Sequence, residues 1–434
     1  MKQSTAINPM LNAIGEDVMG FLNEVQQTYP EAISFASGRP DENFFDFDGF
    51  AEYFDLFVSH EADSRGCSKE EVLKKLGQYN AAKGVVNSLA AEFLKNDEGI
   101  NLKADDLVIT VGTQEAMAIS VLTLCDQKND VILVEDPCYI GVTHFSCIAG
   151  YDIRPISVLE DGISLDQMED GIAKAEAEGK NVKLVYTIPD FQNPTGNAMS
   201  TKKRVRLLEM AEKHDFFILE DNAYGDFVYY GDKKPTLKSL DKNKRVIYLR
   251  SFSKTLYPTI RLSILAADQQ IMNNGTLVPL SGLMAKTKGY LTVNTSSINQ
   301  GVFAGMLLRN DCSFSLMNAE KVSALKQKRD HTIKMLSAHM NAEWANGITW
   351  NEPEGGFFLT VKLPFKVDKQ EVAFCAENHG VIFTPMSFFY MGDGGEKEIR
   401  LAFSYLSIEE IEISIESLAK YFQSKINEEL KIEE

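Results

Sequence analysis

Short apolar segments alternate with amphipathic segments through the middle of this 434-residue chain. Seven apolar segments have the length and the β-branched or aromatic content of buried strands: residues 107–111, 131–135, 151–156, 183–188, 216–220, 246–250 and 262–267. Helices are predicted over stretches such as 70–95, before the first strand, and 201–214, between two strands, because both carry apolar residues at helical spacing. This alternation predicts an α/β fold in which a seven-stranded, mainly parallel sheet has helices on both faces.

A different pattern begins near residue 315, where a long helix is expected over 315–345. It is followed by the strand candidates ITWNEPEGGFFLTVKLP and EIRLAFSY and by an acidic amphipathic helix at 408–433. This mixture predicts a smaller α+β domain. We therefore expect three parts: an N-terminal segment (1–45) that packs on the small domain and crosses into the active site, a large domain (46–315) and a small C-terminal domain (316–434).

Composition limits the function classes. The formal net charge is 44 − 62 = −18 and no basic strip is present, so a nucleic-acid partner is not expected. The N-terminal residues contain no long apolar run, which argues against a signal peptide or a membrane span. The six cysteines show no CxxC pair and the six histidines no metal signature, so we expect a cytoplasmic protein without a metal.

The segment SFSKTLYPTIR at residues 251–261 places Lys254 directly after the predicted strand VIYLR. Ligands of open α/β sheets bind at the carboxyl ends of the strands. Ser251, Ser253 and Arg261 supply two hydroxyls and a guanidinium, which suit a phosphate group. An amine beside a phosphate site suggests a Schiff base with pyridoxal 5'-phosphate (PLP). The alternative is that Lys254 is an ordinary surface lysine.

Two further polar segments follow predicted strands at the same sheet edge. In LEDNAYGDF, Asp221 is suited to pair with the pyridine nitrogen of PLP, and Tyr224 is suited to donate to its phenolic oxygen. In PDFQNPTG, the turn at Asn193 directs an amide toward the same oxygen. A helix N-cap at Asp221 and an ordinary turn at Asn193 are the alternative interpretations.

A third segment, VITVGTQEAM, runs from a predicted strand straight into a helix through Gly112, Thr113 and Gln114. Backbone N–H groups at such a helix start form an anion site, although a simple capping turn explains the same pattern. Tyr139 follows the next strand and either stacks on a cofactor ring or packs in the core.

These segments make the chain similar to a known family. It resembles the fold-type-I, class I/II PLP-dependent aminotransferases from about residue 33 to about residue 420. Within them it is most similar to the branch of α-aminoadipate/kynurenine and arylglycine (dihydroxyphenylglycine) aminotransferases. The motifs that carry the resemblance are QYNAAKG (78–84), VGTQEAM (111–117), EDPCYIG (135–141), PDFQNPTG (189–196), EDNAYGDF (220–227), SFSKTLYPTIR (251–261), PEGGFFL (353–359) and EIRLAFSY (398–405).

The resemblance implies a role for each matched residue. Lys254 would bind the cofactor covalently and move the proton at the substrate α-carbon, with Asp221 as the partner of the pyridinium nitrogen. The other implied cofactor contacts are Asn193 and Tyr224 at the phenolic oxygen, Tyr139 on the ring, Gly112, Thr113, Gln114, Ser251, Ser253 and Arg261 at the phosphate, and Tyr79 at the phosphate of the neighbouring subunit in a homodimer.

Substrate contacts are also implied. Arg400 matches the arginine that grips the substrate α-carboxylate as a bidentate fork, the alternative being a surface arginine on a strand. Asn193 and the segment FASGRPDENFF complete the site: Gly38 lets the backbone approach the substrate, and Arg39 meets a second carboxylate or pairs with a neighbouring acidic residue. The aromatic run from Phe44 to Phe54 suits an aromatic substrate but is equally explained by core packing.

The phosphate loop departs from the family pattern. Where the family reads Pro-Gly-Leu-Arg-x-Gly, this chain has Pro258-Thr259-Ile260-Arg261-Leu262-Ser263. A threonine at a position that needs positive φ is strained, because β-branched residues avoid that region. We therefore expect strain at Thr259 and an altered path around Arg261.

The resemblance implies a ping-pong aminotransferase that moves an amino group between an L-amino acid and a 2-oxo acid such as 2-oxoglutarate. An aromatic or bulky amino acid is one of the donor classes that the branch implies. A PLP-dependent β-lyase, decarboxylase or cyclising synthase has the same motifs. A regulator that joins this fold to a DNA-binding region carries additional basic N-terminal residues, whereas this chain begins almost directly with the aminotransferase-like part, so catalysis is the expectation.

Overall fold

The computed structural model describes residues 9–12 and 18–433, so residues 1–8 and 13–17 of the predicted N-terminal segment lie outside the described residues. Strands β1 to β16 are, in chain order, Ile33–Ser34, Leu107–Thr110, Asp130–Asp136, Asp152–Leu159, Gly162–Ile163, Asn181–Thr187, Phe217–Asn222, Val246–Ser251, Ser263–Ala266, Gln270–Asn273, Thr276–Pro279, Thr349–Trp350, Phe358–Lys362, Val381–Ile382, Thr384–Pro385 and Glu398–Ala402.

Helices surround these strands. Helices α1 to α14 are Val18–Thr28, Phe50–Arg65, Lys69–Leu76, Asn87–Glu98, Gly112–Leu124, Ile140–Ile148, Leu165–Ala177, Thr201–Lys213, Leu237–Leu240, Leu280–Leu291, Ser297–Arg309, Ser315–His339, Lys369–His379 and Ile408–Glu433. Within the described residues, no helix is both long enough and apolar enough to cross a membrane.

Eight strands form the large sheet, in the order β2-β9-β8-β7-β6-β3-β4-β5. Strands β8, β7, β6, β3 and β4 pair in parallel, while β9 and β5 run antiparallel to their neighbours. All seven predicted strands are present, which confirms the predicted mainly parallel α/β sheet. The eighth, β5, has only two residues, too few for its apolar pattern to predict a strand.

The central strands of the large sheet are buried and mostly apolar, with polar residues toward their carboxyl ends. Strands β2, β7 and β8 are buried at every residue, as expected when helices cover both faces. Helix α8 shows the matching pattern: Leu207, Met210 and Ala211 are buried, and the Ser200 side chain caps its first turn by accepting from the Lys203 N–H. The packed core therefore fixes the carboxyl ends of the parallel strands at one edge of the large sheet.

The single helix predicted over 70–95 is wrong. The structure has two helices, α3 and α4, separated by residues 77–86. The Asn80 amide donates to the Gln78 carbonyl (2.8 Å) and to the Ser297 hydroxyl (2.9 Å), and Gly84 has φ +117°. A side chain that bonds nearby backbone and a glycine at positive φ both stop helix propagation.

A second sheet is formed by β12, β13, β16 and β15, which pair antiparallel. Next to it, β1 pairs in parallel with β14, and the Phe35 carbonyl accepts from the Ala402 N–H at 2.8 Å. The chain after β1 is thereby tied to the second sheet before residues 36–39 pass to the edge of the large sheet.

Candidate active site

A cavity of about 370 Å³ lies where the carboxyl ends of the parallel strands meet residues 36–39 and the second sheet. Most of the predicted site residues line it: Gly38, Arg39, Thr113, Gln114, Tyr139, Asn193, Asp221, Tyr224, Ser251, Ser253, Lys254, Arg261 and Arg400. Gly112 lies directly behind the Arg261 guanidinium, whereas Tyr79 is 85% exposed and does not line the cavity of its own chain.

Lys254 follows β8 and extends its amine into the cavity. The Nζ atom donates to the Gly38 carbonyl at 2.5 Å. Burial and, to a smaller extent, the positive charges of Arg400 and Arg261 together lower the pKa of this amine to about 8. A neutral amine is therefore well populated near pH 8, which nucleophilic attack and proton abstraction both require.

Asp221, near the end of β7, is almost completely buried. Its Oδ2 accepts from the Tyr186 hydroxyl at 2.9 Å, while its Oδ1 has no hydrogen-bond partner in the described part of the chain. Burial raises the pKa of this carboxyl to about 7, and the hydrogen bond from Tyr186 opposes that rise. A buried carboxylate with one free oxygen favours a cationic or N–H partner from a bound molecule.

Arg400, on β16, is buried rather than on the surface. Its Nη1 donates to Asn193 Oδ1 at 2.7 Å and its Nη2 to the Ala36 carbonyl at 2.6 Å, while the buried Nε has no partner among the described residues. The guanidinium lies 4.4 Å from the ring centroid of Phe358 and 4.6 Å from that of Phe389. Burial lowers its pKa to about 10, so the group is cationic at neutral pH. No carboxylate among the described residues forms an ion pair with it.

Asn193 links this arginine to Tyr224, because its side chain also hydrogen-bonds the Tyr224 hydroxyl. The Tyr224 ring packs edge-on against Phe358, with centroids 5.5 Å apart. Burial raises the pKa of Tyr224, so its hydroxyl keeps its proton at physiological pH. The structure thus brings a tyrosine hydroxyl, an amide and a guanidinium into contact at the cavity.

The opposite end of the cavity is built around the start of α5. Gly112 has φ +72°, and a Cβ added there would lie 2.3 Å from Arg261 Nη2. Thr113 contacts the Ser263 hydroxyl at 3.4 Å, and Gln114 donates to the Gly141 carbonyl at 2.8 Å. Hydroxyls, a guanidinium and the N–H groups of a helix start together favour an anion.

The strain predicted at Thr259 is wrong. Thr259 lies in a 3-10 turn, Pro258–Ile260, and the positive φ of +47° belongs to Arg261. Pro258, with its fixed φ, occupies the first position of the turn. Thr259 therefore does not need a positive φ, although it replaces the glycine of the family pattern. Arg261 nevertheless lies at the cavity, 3.4 Å from the Ser253 hydroxyl.

The aromatic run after residue 43 does not line the cavity. Phe45, Phe47 and Phe50 pack around Tyr257, with ring centroids 5.2–5.6 Å apart. Core packing therefore explains the run within this chain.

Arg39 is not paired with its acidic neighbours: Asp41 bonds Lys328 at 2.6 Å, and Arg39 stacks on the Tyr405 ring at 4.5 Å. Among the described residues, Arg39 makes no ion pair.

Three residues were missed by sequence reasoning. Phe358 and Phe389 line the cavity and enclose Arg400, and Tyr186 holds Asp221. Phe358 stands inside the motif PEGGFFL, and Tyr186 lies in the predicted strand 183–188. A tyrosine in an apolar strand needs a partner for its hydroxyl, which was the available signal. Phe389 gave no signal, because only tertiary packing brings it to the cavity.

The sequence model of the family described as aminotransferase class I and II matches residues 68–418. The chain belongs to this family. The aminotransferase is 38% identical over 408 residues to the (S)-3,5-dihydroxyphenylglycine transaminase of Amycolatopsis orientalis, which covers 94% of this chain and 92% of that protein. It is 32% identical to the aromatic-amino-acid aminotransferase 1 of Thermococcus litoralis, over 83% of this chain and 84% of that one.

The fold agrees with these similarities. The aminotransferase matches the crystal structure of a Pyrococcus horikoshii kynurenine aminotransferase with a TM-score of 0.82 and 27% identity, over 97% of both chains. It is accordingly an amino-acid aminotransferase of fold type I whose cofactor is PLP. The cavity fits that cofactor, since it offers an amine, a buried carboxylate oxygen without a partner and an anion site at a helix start.

Proposed function

We propose that the cavity residues of this aminotransferase act as three groups, for the cofactor, for the substrate α-carboxylate and for the substrate side chain. PLP, when bound, supplies the aldehyde that exchanges amino groups and a ring that withdraws electrons from the substrate α-carbon. The single observation that carries the proposal is the meeting of Lys254, Asp221 and Arg400 in one cavity.

The cofactor group consists of the Lys254 amine, the Asp221 carboxylate and an anion site, which would surround the ring of PLP. Lys254 attaches the cofactor and, when its amine is free, takes and returns the proton at the α-carbon. Asp221 offers Oδ1 to the pyridine nitrogen, and its negative charge stabilises a protonated ring. Asn193 and Tyr224 bind the phenolic oxygen, and Tyr139 lies against the ring. The phosphate contacts are Gly112, Thr113, Gln114, Ser251, Ser253, Arg261 and the neighbouring subunit's Tyr79.

The substrate α-carboxylate binds the guanidinium of Arg400. The orientation of this guanidinium is fixed before the substrate binds. Phe358 and Phe389 hold the guanidinium plane, and Asn193 and the Ala36 carbonyl occupy two of its donors. Such preorganisation lowers the entropy lost on binding. It also orients the α-carbon toward Lys254.

The substrate side chain lies between Gly38, Arg39 and apolar residues of the wall. Met117, Ile140 and Ile188 give that wall an apolar character, which suits an aromatic or bulky amino donor. Arg39, without an acidic partner in the described residues, suits the second carboxylate of a dicarboxylic 2-oxo acid acceptor such as 2-oxoglutarate. The two named relatives that act on arylglycine and aromatic amino acids support the donor class.

The larger organisation follows from the same family membership. We propose the division into an N-terminal segment (1–45), a large cofactor domain (46–315) and a small domain (316–434), since the two sheets fall on either side of α12. We also propose a homodimer that functions in the cytoplasm. All six cysteines are free thiols, which suits a reducing compartment.

The test is a half-reaction followed by visible absorbance. Aromatic, bulky aliphatic, small and acidic L-amino acids are added one at a time to the purified holoenzyme. An aromatic or bulky donor should remove the cofactor's visible band, and 2-oxoglutarate should restore it. Release of ammonia or of carbon dioxide, without the loss of the visible band that 2-oxoglutarate reverses, would contradict transamination and favour a lyase or a decarboxylase.

A further inference from the structure

The carboxylate of Asp221 is held by one neighbour on β6. The Tyr186 hydroxyl donates to Oδ2 at 2.9 Å, and the Tyr186 side chain is fully buried. Oδ1 of the same carboxylate is buried and unpartnered among the described residues. The two oxygens are therefore not equivalent, because one is occupied by Tyr186 and the other has no partner among the described residues, in a side chain that lines the cavity.

From this asymmetry we propose that Tyr186 is a positioning residue, which keeps Asp221 ionised and directs its free oxygen to the pyridine nitrogen of the cofactor. Tyr186 acts through Asp221 and does not line the cavity. The inference rests on the proposed role of Asp221 and adds a residue to that site.

The need for such a donor follows from burial. Desolvation favours the neutral form of a carboxyl, and it raises the pKa of Asp221 to about 7 despite the hydrogen bond. The other titratable groups that face Asp221 supply no positive charge: Glu135 on β3, Cys138 and Tyr139 after it, and Tyr224 after β7. The Tyr186 hydroxyl thus stabilises the ionised carboxylate in the absence of a cation.

Tyr186 is suited to donate permanently. Burial raises the pKa of its phenol well above the usual value, so the hydroxyl keeps its proton over the working pH range. Its position on β6, the strand next to β7, fixes the ring through the sheet register, in which Tyr186 lies opposite Leu219. The hydrogen bond therefore constrains the orientation of the carboxylate as well as its charge.

The test compares two cofactors on the intact chain. Dissociation constants are measured for PLP and for 1-deazapyridoxal 5'-phosphate, in which a C–H replaces the ring nitrogen. Loss of the hydroxyl in Tyr186→Phe should weaken PLP binding about tenfold, since a hydrogen bond to a charged group is lost, and should change binding of the deaza analogue by less than about twofold. Equal weakening of both ligands, or of neither, would overturn the proposal.

Two further variants make the result specific. Tyr248→Phe removes another buried hydroxyl of the same sheet, which accepts from the Asn222 amide at 2.8 Å, and it should leave the ratio of the two constants unchanged. Asp221→Asn should weaken PLP selectively. If Asp221→Asn weakens PLP binding selectively and Tyr186→Phe does not, only the proposed role of Tyr186 fails. If Asp221→Asn also affects both ligands alike, the proposed role of Asp221 fails and the inference with it.

Discussion

At the scale of single residues, the charge state of Lys254 decides when the site can bind its cofactor covalently. Its amine has a pKa lowered to about 8 by burial, with the positive charges of Arg400 and Arg261 acting in the same direction. The group is therefore protonated and unreactive below that pH and neutral above it.

The covalent uptake of PLP by the cofactor-free enzyme should follow this ionisation. Its rate should rise with pH to a midpoint near 8 and level off above it, as measured by stopped-flow absorbance. The same titration with a free lysine derivative corrects for ionisation of PLP itself. A corrected midpoint near 10.5, the ordinary value for lysine, would show that the amine is not desolvated.

Arg39 gives a second prediction at this scale. Arg39→Gln removes a guanidinium that has no acidic partner among the described residues. The KM for 2-oxoglutarate should rise about tenfold, because a charge-assisted hydrogen bond to its second carboxylate is lost. The KM for phenylpyruvate, which has no second carboxylate, is the internal control and should change by less than about twofold. Parallel changes for both acids would remove Arg39 from the carboxylate site.

At the scale of elements, the start of α5 and the turn that carries Arg261 lie against each other at the proposed phosphate site. Gly112 is constrained twice, by φ +72° and by the Arg261 guanidinium that occupies the space of a Cβ. Any side chain there displaces Arg261 or tilts the helix start. The helix and the turn must therefore be considered together.

Gly112→Ala should weaken PLP binding by at least about tenfold, because it disturbs both Arg261 and the N–H groups of α5. Gly99→Ala is the matched control, since Gly99 has φ +66° with nothing within 4 Å of an added Cβ. It should cost about 1 kcal/mol of stability, as left-handed backbone does for alanine, and leave the PLP dissociation constant unchanged. Equal effects of the two variants on PLP binding would contradict the contact with Arg261.

A helix, strand or contact could be predicted from the sequence when the interactions that form it leave a pattern in neighbouring residues. The strands of the large sheet were predictable because buried parallel strands are continuously apolar. The break between α3 and α4 was missed, because its local causes at Gln78 and Gly84 act together with the contact of Asn80 with Ser297, far away in the chain. Phe358 and Phe389 reach the cavity only through the packing of the second sheet, so their contacts with Arg400 had no local signal.

At the scale of the whole molecule, one predicted site residue lies far from its own cavity. Tyr79 is 85% exposed, and the Asn80 contact with Ser297 places its segment beside the start of α11, where Ile298 is 63% exposed. Tyr290, at the end of α10, is 84% exposed. Exposed aromatic and apolar residues of this kind are typical of a surface that binds another protein. The proposed homodimer would cover these residues and would bring Tyr79 to the cavity of the partner.

Complementation between two defective chains tests this arrangement. Tyr79→Phe should bind PLP more weakly as a homodimer. Co-expression with Lys254→Ala should restore strong binding to half the sites, because the subunit that keeps Lys254 then receives an intact Tyr79 from its partner. Fluorescence titration of the purified mixed dimer measures this. No restoration, or a monomer by light scattering, would contradict a shared site.

The central claim is that Lys254 holds the cofactor at the edge of the large sheet. The most direct measurement is borohydride reduction of the holoenzyme, which fixes the cofactor to its lysine, followed by peptide mass mapping. The reduced cofactor is expected on Lys254, within residues 251–261, and the Lys254→Ala variant should carry no label. A label on any other lysine of the wild-type chain would contradict it.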